Sequence, residues 1–289
     1  MGAVDTIKNK AASLLPNKYK LPVKGRTALI TGAGSGIGRL MALECAKRGA
    51  KKVIIWDISE ERAAQVAEEV QARGAEAEYA IVDVTNQEAV EDQAAKTGEI
   101  DLLINNAGVV SGRTFLETSQ ESVDKTLDIN LRALYIVTRP FLGGMIERNR
   151  GTVVVVASAA GIVGVARQTD YSASKWGAIG FAESLRVEMK RENNRVNVMS
   201  LCPFYIDTGM FEGVKTKVPW LLPILQPQYV AETTIDGVEN GRHQIILPAV
   251  ARATFFGRLL PVPIFDRLCS LLGINNTMDD FKGREGDRA

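Results

Sequence analysis

Thr27-Ala-Leu-Ile-Thr31-Gly32-Ala-Gly34-Ser35-Gly36-Ile37-Gly38 is the stretch from which this chain is best read. A short apolar strand runs straight into alternating glycines at 32, 34, 36 and 38, and Ile37 to Lys47 then carries apolar residues at helical spacing. Glycines let the backbone reverse tightly and approach a ligand with no Cβ in the way. The helix beginning near Gly36 offers amide protons without intrahelical partners and the positive end of its dipole, a match for a pyrophosphate. Glycine-rich turns are common. The position between a first strand and a first helix is what makes Gly32, Ser35, Gly36, Ile37 and Gly38 candidate dinucleotide contacts.

Working outward, Val53-Ile-Ile-Trp56, Ala80-Ile-Val82, Leu102-Leu-Ile104, Val153-Val-Val-Val156 and Val196-Asn-Val-Met-Ser200 read as further strands. Helical patterns separate them, and Ser59 before Glu60 and Glu61 is a helix start. Near-continuous apolar strands alternating with helices predict a doubly wound α/β fold: a parallel, Rossmann-like sheet with helices on both faces. Right-handed crossovers then put a nucleotide at the carboxyl ends of the strands. The expected organisation is one domain. Residues 1–24 form an arm and 25–250 the Rossmann-like catalytic domain, with a lid at about 208–228. Residues 251–289 form an apolar C-terminal extension ending in a charged tail. Val218-Pro-Trp-Leu-Leu-Pro-Ile-Leu-Gln-Pro227 has three prolines among bulky apolar groups and cannot be a regular helix.

Bulk properties exclude several classes. With 35 basic against 34 acidic residues, the chain as a whole has no field to draw in nucleic acid or an anionic membrane. His243 is the only histidine, which excludes a multi-histidine zinc site and leaves little room for a Ser-His-Asp triad; it reads as a strand-end residue, and no metal site is expected. Cys45, Cys202 and Cys269 are odd in number and far apart, which predicts free thiols in a reducing compartment. Met1-Gly-Ala-Val-Asp5 lacks the long apolar run of a signal peptide or membrane helix, and Gly2 with Thr6 matches a lipidation motif only weakly. The expectation is a cytoplasmic protein. Residues 253–274 would pack against a partner subunit or lie peripherally in a membrane interface.

Asp57 directly follows the second strand, where a carboxylate accepts hydrogen bonds from adenosine ribose hydroxyls and repels a 2′-phosphate. No basic residue occupies Ala33, Ser35, Ile58 or Ser59, so NAD is expected over NADP. Asp83, before Val84, is read either as an adenine contact or as a turn former. Asn106-Ala107-Gly108 would let the adenine side lie close to the backbone. Tyr171 and Lys175 are four apart and share a helix face. A phenol is too weakly acidic to be a base at neutral pH, and a neighbouring ammonium is expected to lower its pKa. Such a Tyr takes a proton from an alcohol as hydride leaves carbon, while Ser158, at the end of the valine strand, orients the oxygen. Each residue alone has an ordinary structural reading; together they point to oxidoreduction.

As a set, Thr31-Gly32-x-x-x-Gly36-Ile37-Gly38, Asn105-Asn106-Ala107-Gly108, Asn130, Ser158 and Tyr171-x-x-x-Lys175 resemble the short-chain dehydrogenase/reductase family from about Gly25 to Leu247. The resemblance implies Tyr171 as acid/base and Ser158 as the substrate-orienting hydroxyl. It implies that Lys175 tunes Tyr171 and holds the nicotinamide ribose, and that Asn130 anchors a water linking Lys175 to solvent. It also implies Pro203, Ile206 and Thr208 on the nicotinamide side, with Thr208 at the carboxamide. The family often has Pro-Gly where this chain has Pro203-Phe204, so Phe204 is expected to shape the nicotinamide or substrate pocket. The segment from Asp83 to Asp101 also looks shortened. Gly38-Arg-Leu40, Trp56-Asp-Ile58, Cys202-Pro-Phe and Asp207-Thr-Gly-Met-Phe211 are similar to the branch of retinol dehydrogenases and lipid-acting 17-beta-hydroxysteroid dehydrogenases. That implies a hydrophobic alcohol or carbonyl substrate and a homodimer or homotetramer. The alternatives are an NADP-linked 3-oxoacyl or general carbonyl reductase, and a non-catalytic NAD-binding scaffold.

Overall fold

A computed structural model describes residues 17–283. Met1–Asp5, the Gly2 and Thr6 motif and the end of the charged tail (284–289) lie outside the described residues. Seven strands form one parallel sheet: β1 Thr27–Thr31, β2 Lys52–Asp57, β3 Glu76–Ile81, β4 Leu102–Asn105, β5 Gly151–Val156, β6 Val196–Pro203 and β7 Gln244–Leu247, in the order β3-β2-β1-β4-β5-β6-β7. The helices between them are α1 Gly36–Lys47, α2 Glu60–Gln71, α3 Gln87–Thr97, α4 Gln120–Leu127, α5 Ala133–Glu147, α6 Thr169–Arg191 and α7 Pro227–Glu239.

Strand alternation sorts the core into two layers. Ala28, Ile30, Val53, Ile55 and Val154 face α1, α2 and α7 through Met41, Val66 and Val230. Leu29, Ile54, Trp56 and Val153 face α3, α5 and α6 through Val90, Val137 and Ala178. Both faces are covered, so the central strands tolerate apolar residues at every position. The order reverses between β1 and β4, which pair from Ala28↔Leu102, and a crevice opens beyond their carboxyl ends.

One element differs from the sequence reading. β3 begins at Glu76, four residues before the expected strand, because as an edge strand it is largely exposed and carries Glu76 and Glu78 rather than a continuous apolar run. The shortened segment after Asp83 still builds a regular α3, started by Asn86, whose side chain accepts from the Ala89 amide at 3.1 Å.

Beyond β7, α8 Ala253–Gly257 and α9 Val262–Leu271 pack back over the site. Arg258 holds them there, donating to the Ile162 carbonyl at 2.7 Å and stacking 4.3 Å over Trp176. The chain then folds across the segment that follows β6. The Tyr205 hydroxyl bonds Thr277 Oγ1 at 2.8 Å, Lys282 N–H donates to Glu212 O at 2.8 Å, and Phe281 packs on Gly112. No helix forms over residues 218–226, in line with the prolines there.

Candidate active site

Gly32 and Gly36 adopt φ of +61° and +55°, the left-handed region that disfavours any side chain. A Cβ on Gly38 would lie 2.5 Å from the Gly32 carbonyl, so close contact of turn and helix requires glycine there too. The first turn of α1 has no acidic residue, and its Gly36, Ile37 and Gly38 line the crevice. Asn106 and Thr31 tie the turn to β4: Asn106 Nδ2 donates to the Thr31 carbonyl at 2.9 Å, and Thr31 Oγ1 accepts from the Asn106 and Ala107 amides at 3.0 and 3.1 Å. Asn106 also lines the crevice, so its side chain braces the glycine turn from beside the space that the sequence reading gives to the adenine.

Asp57 is buried at the end of β2. Its carboxylate accepts from Gly34 N–H at 2.8 Å and Ser59 N–H at 3.0 Å, and Arg62 Nη2 lies 3.6 Å away. Arg62 was missed in sequence because it stands in the first turn of α2, beyond the loop positions 33, 35, 58 and 59, and nothing local marks it as turned back toward Asp57. Asp83 accepts from both Thr85 N–H, at 2.9 Å, and Thr85 Oγ1, at 2.7 Å, so its carboxylate serves the turn while the residue borders the crevice.

The polar end of the site lies where β5, α6 and β6 meet. Ser158 follows β5, and its Oγ accepts from Ala160 N–H at 3.1 Å. Tyr171 and Lys175 are buried on one face of α6. Lys175 Nζ donates to the Val156 carbonyl at 2.8 Å and sits 5.6 Å from the Tyr171 ring centre. Burial pushes the Tyr171 phenol up from its ordinary value, against a hydrogen bond with Ser158 that lowers it. Burial also pulls Lys175 down to about 8, opposed weakly by Cys202. The expected lowering of Tyr171 by Lys175 is therefore corrected: burial raises the phenol, and Lys175, whose ammonium donates to the Val156 carbonyl, is not among the groups that shift it.

Asn130 lies in a widened, π-helical turn, Asp128–Arg132, that joins α4 to α5. Its Nδ2 donates to Val109 O at 2.9 Å and Ser174 Oγ at 3.0 Å, and its Oδ1 accepts from Val109 N–H at 2.9 Å. A Cβ on Gly108 would lie 3.1 Å from Asn130 Oδ1 and 3.6 Å from Lys175 Nζ, so both groups flank that glycine.

One cavity of about 850 Å³ runs from the glycine turn to Ser158 and on under α8 and α9. Every predicted site residue except Asn130 lines it, including Val84, Pro203, Phe204, Ile206 and Thr208. Asn130 stands behind the wall. Beyond Tyr171 the lining is apolar, with Phe204, Phe211, Leu222, Phe265, Leu268 and Leu272. The α9 residues among these were not foreseen, because nothing local in residues 262–272 marks them as pocket-lining. His243 lies elsewhere, its Nδ1 2.7 Å from Asn197 Oδ1, and no cluster of potential metal ligands occurs among the described residues.

A family model for short chain dehydrogenases matches residues 26–219. The chain is 37% identical over 276 residues to Epidermal retinol dehydrogenase 2 of Mus musculus, covering 93% of this chain and 89% of that protein. It is 32% identical over 283 residues to Short-chain dehydrogenase/reductase 3 of Homo sapiens, covering 96% and 93%. A short chain dehydrogenase/reductase from Burkholderia phymatum, solved in complex with NAD, superimposes with a TM-score of 0.74 at 26% identity, over 83% of this chain and 95% of that one. A metagenomic short-chain oxidoreductase in complex with NADP superimposes with a TM-score of 0.66 at 26% identity, over 78% and 97%.

Proposed function

The chain belongs to the short-chain dehydrogenase/reductase family and is an NAD(P)-dependent oxidoreductase of alcohol and carbonyl groups, and we propose that it interconverts a hydrophobic alcohol and its carbonyl with NAD(H). The substrate class is retinoid, steroid or long-chain. The observation that carries this reading is the cavity: Ser158 and Tyr171 stand at the junction between the glycine-turn crevice and a compartment walled by Phe204, Phe211, Leu222 and Leu268. Apolar walls favour a substrate whose only polar group is the one that reacts. The apolar C-terminal extension and the lid serve as the cover of that compartment.

The donor set fits a nicotinamide dinucleotide. Gly32, Ser35, Gly36, Ile37 and Gly38 take the pyrophosphate on backbone amides, and Asp57 takes the adenosine ribose. Asp83, Val84, Asn106, Ala107 and Gly108 border the adenine side, and Pro203, Ile206 and Thr208 border the nicotinamide. When bound, the nicotinamide takes or gives the hydride. Tyr171 moves the proton at the substrate oxygen and Ser158 orients that oxygen by hydrogen bonding. Lys175 holds the ribose and the Asn130 side chain supports the segment beside it. The helices around Leu131 and Tyr171 are the surfaces for a homodimer or homotetramer, where Tyr135 and Val187 are exposed.

Asp57 favours NAD, since its carboxylate repels a 2′-phosphate. A second reading, use of NADP, is favoured by Arg62, whose guanidinium lines the same cavity 3.6 Å from that carboxylate. The test is NADH and NADPH formation by purified protein over a panel from short secondary alcohols to retinol, long-chain alcohols and steroids. Turnover of the lipidic members with NAD is expected. Turnover confined to small polar alcohols would discard the substrate class, and a preference for NADP would discard the cofactor.

A further inference from the structure

α9 is apolar around more of its circumference than the protein covers. Phe265, Leu268, Cys269, Leu271 and Leu272 border the cavity, yet Leu268 and Leu271 are also exposed on the outside, where with Ile264, at i, i+4 and i+7, they form an apolar stripe. The exposure continues into α8, the turn after it and the lid: Phe256 is 76% exposed, Leu259 83% and Trp220 81%. Lid and helix adjoin, since a Cβ on Gly273, just past α9, would lie 2.6 Å from Lys217 Cβ. Isolated exposed apolar residues are ordinary. A contiguous set on the elements that wall an apolar cavity is not.

The charges around this surface have one predominant sign. The lid, residues 208–228, and residues 249–274 contain Lys215, Lys217, Arg252, Arg258 and Arg267 against two acids, Glu212 and Asp266, in a chain whose net charge is only +1. Lys215 is paired with Asp280, and Arg258 is committed to Trp176 and Ile162. Lys217, Arg252 and Arg267 are exposed and make no ion pair within 4.0 Å among the described residues. Long basic side chains beside exposed Trp, Phe and Leu suit a layer that is apolar inside and anionic at its rim. No helix among the described residues is long and apolar enough to cross a membrane.

We infer that α8, α9 and the Trp220 lid form a docking surface for an anionic phospholipid bilayer, on which the chain lies with the outer end of its substrate cavity in the lipid interface. The side chains that would insert are those of Trp220, Phe256, Leu259 and the Ile264–Leu268–Leu271 stripe. The inserted elements also wall the cavity, so an apolar substrate dissolved in the bilayer would pass from lipid to apolar protein without crossing water. The surface does not depend on which alcohol is oxidised.

The test is flotation of the full chain with phosphatidylcholine vesicles, with and without phosphatidylserine. Trp220 fluorescence with bromine-labelled lipid reports insertion, using Trp220→Phe to subtract Trp56 and Trp176. Binding that increases with phosphatidylserine, and quenching lost in Trp220→Phe, are the expected results. The double variant Phe256→Ser, Leu259→Ser changes two exposed side chains outside the cavity lining, so it should fold with unchanged circular dichroism. Its vesicle partitioning should fall by about tenfold or more. No flotation with either vesicle would overturn the inference, and so would flotation undiminished in the double variant, which would put the contact elsewhere on the chain. A soluble oligomer broken by the double variant, with no lipid binding, would also overturn it, by identifying a second copy as what covers this surface.

Discussion

Tyr171 and Lys175 share one face of one helix, yet burial moves them in opposite senses, because it disfavours whichever form is charged. Tyr171→Phe keeps the ring and its edge-on contact with Phe211 at 5.9 Å, removing only the hydroxyl. Turnover is expected to fall by about 10²–10⁴-fold while NADH affinity, followed by fluorescence, changes little; substantial retained turnover would remove Tyr171 from the mechanism. Lys175 permits a test by stability. Its pKa is about 8 in the folded chain against an ordinary 10.5, so between those values the unfolded chain holds a proton that the folded chain has lost. Stability therefore rises with pH across that window, and the penalty, on the order of 3 kcal/mol, is fully present below it. Lys175→Met removes the penalty at the cost of about 1 kcal/mol for the bond to Val156. Its Tm should exceed that of the wild-type chain at pH 7, and the gap should close as pH rises above 8. A gap independent of pH would show that the ammonium is not desolvated. The residue types and their spacing were legible in sequence; the sign of the Tyr171 shift was not, since it depends on how much protein surrounds the phenol.

At the scale of elements, the π-helical turn and the C-terminal strap, residues 274–283 folded across the segment that follows β6, do the positioning. Asn130 could be seen only as a polar residue in a helical stretch. The widened turn that lets it reach Val109 and Ser174 arises where α4 gives way to α5. The strap is testable through Gly112, at φ +67°, where a Cβ would lie 2.1 Å from the Phe281 ring. Gly112→Ala should displace Phe281, strain the backbone by about 1–3 kcal/mol and lower Tm by several degrees. The KM for an apolar substrate should rise with it. Gly143→Ala, inside α5 with nothing within 4 Å of the added methyl, should instead leave Tm unchanged or raise it. Equal effects at the two sites would mean that the strap contributes nothing.

At the scale of the molecule, sheet, glycine turn and C-terminal helices enclose a cavity of about 850 Å³, and a ligand bound there stabilises the folded state alone. Cofactor at 100 times its Kd should add about 2.7 kcal/mol. NADH is expected to raise Tm more than NADPH at equal concentration, and Asp57→Asn should narrow the difference. Asn is the sharper substitution: Ala would also strip Gly34 and Ser59 of the acceptor for their amides. An unchanged difference in Asp57→Asn would show that Asp57 does not face the ribose.

By itself, the sequence determined the strand–turn–helix at Thr31–Gly38, the doubly wound sheet and the Tyr171–Lys175 face. These rest on glycine stereochemistry and on periodicities of two and 3.6 residues, which act between near neighbours. Edge strand β3 was half legible because its exposed face carries charge instead of an apolar signal. Only the tertiary structure decided that Arg62 stands at Asp57, that Asn106 braces Thr31, that Thr277 caps Tyr205, and that α9 walls the cavity with one side and leaves another bare. Apart from Arg62, these contacts join residues tens of positions apart. Packing of the whole chain creates them, and no local pattern has to encode them.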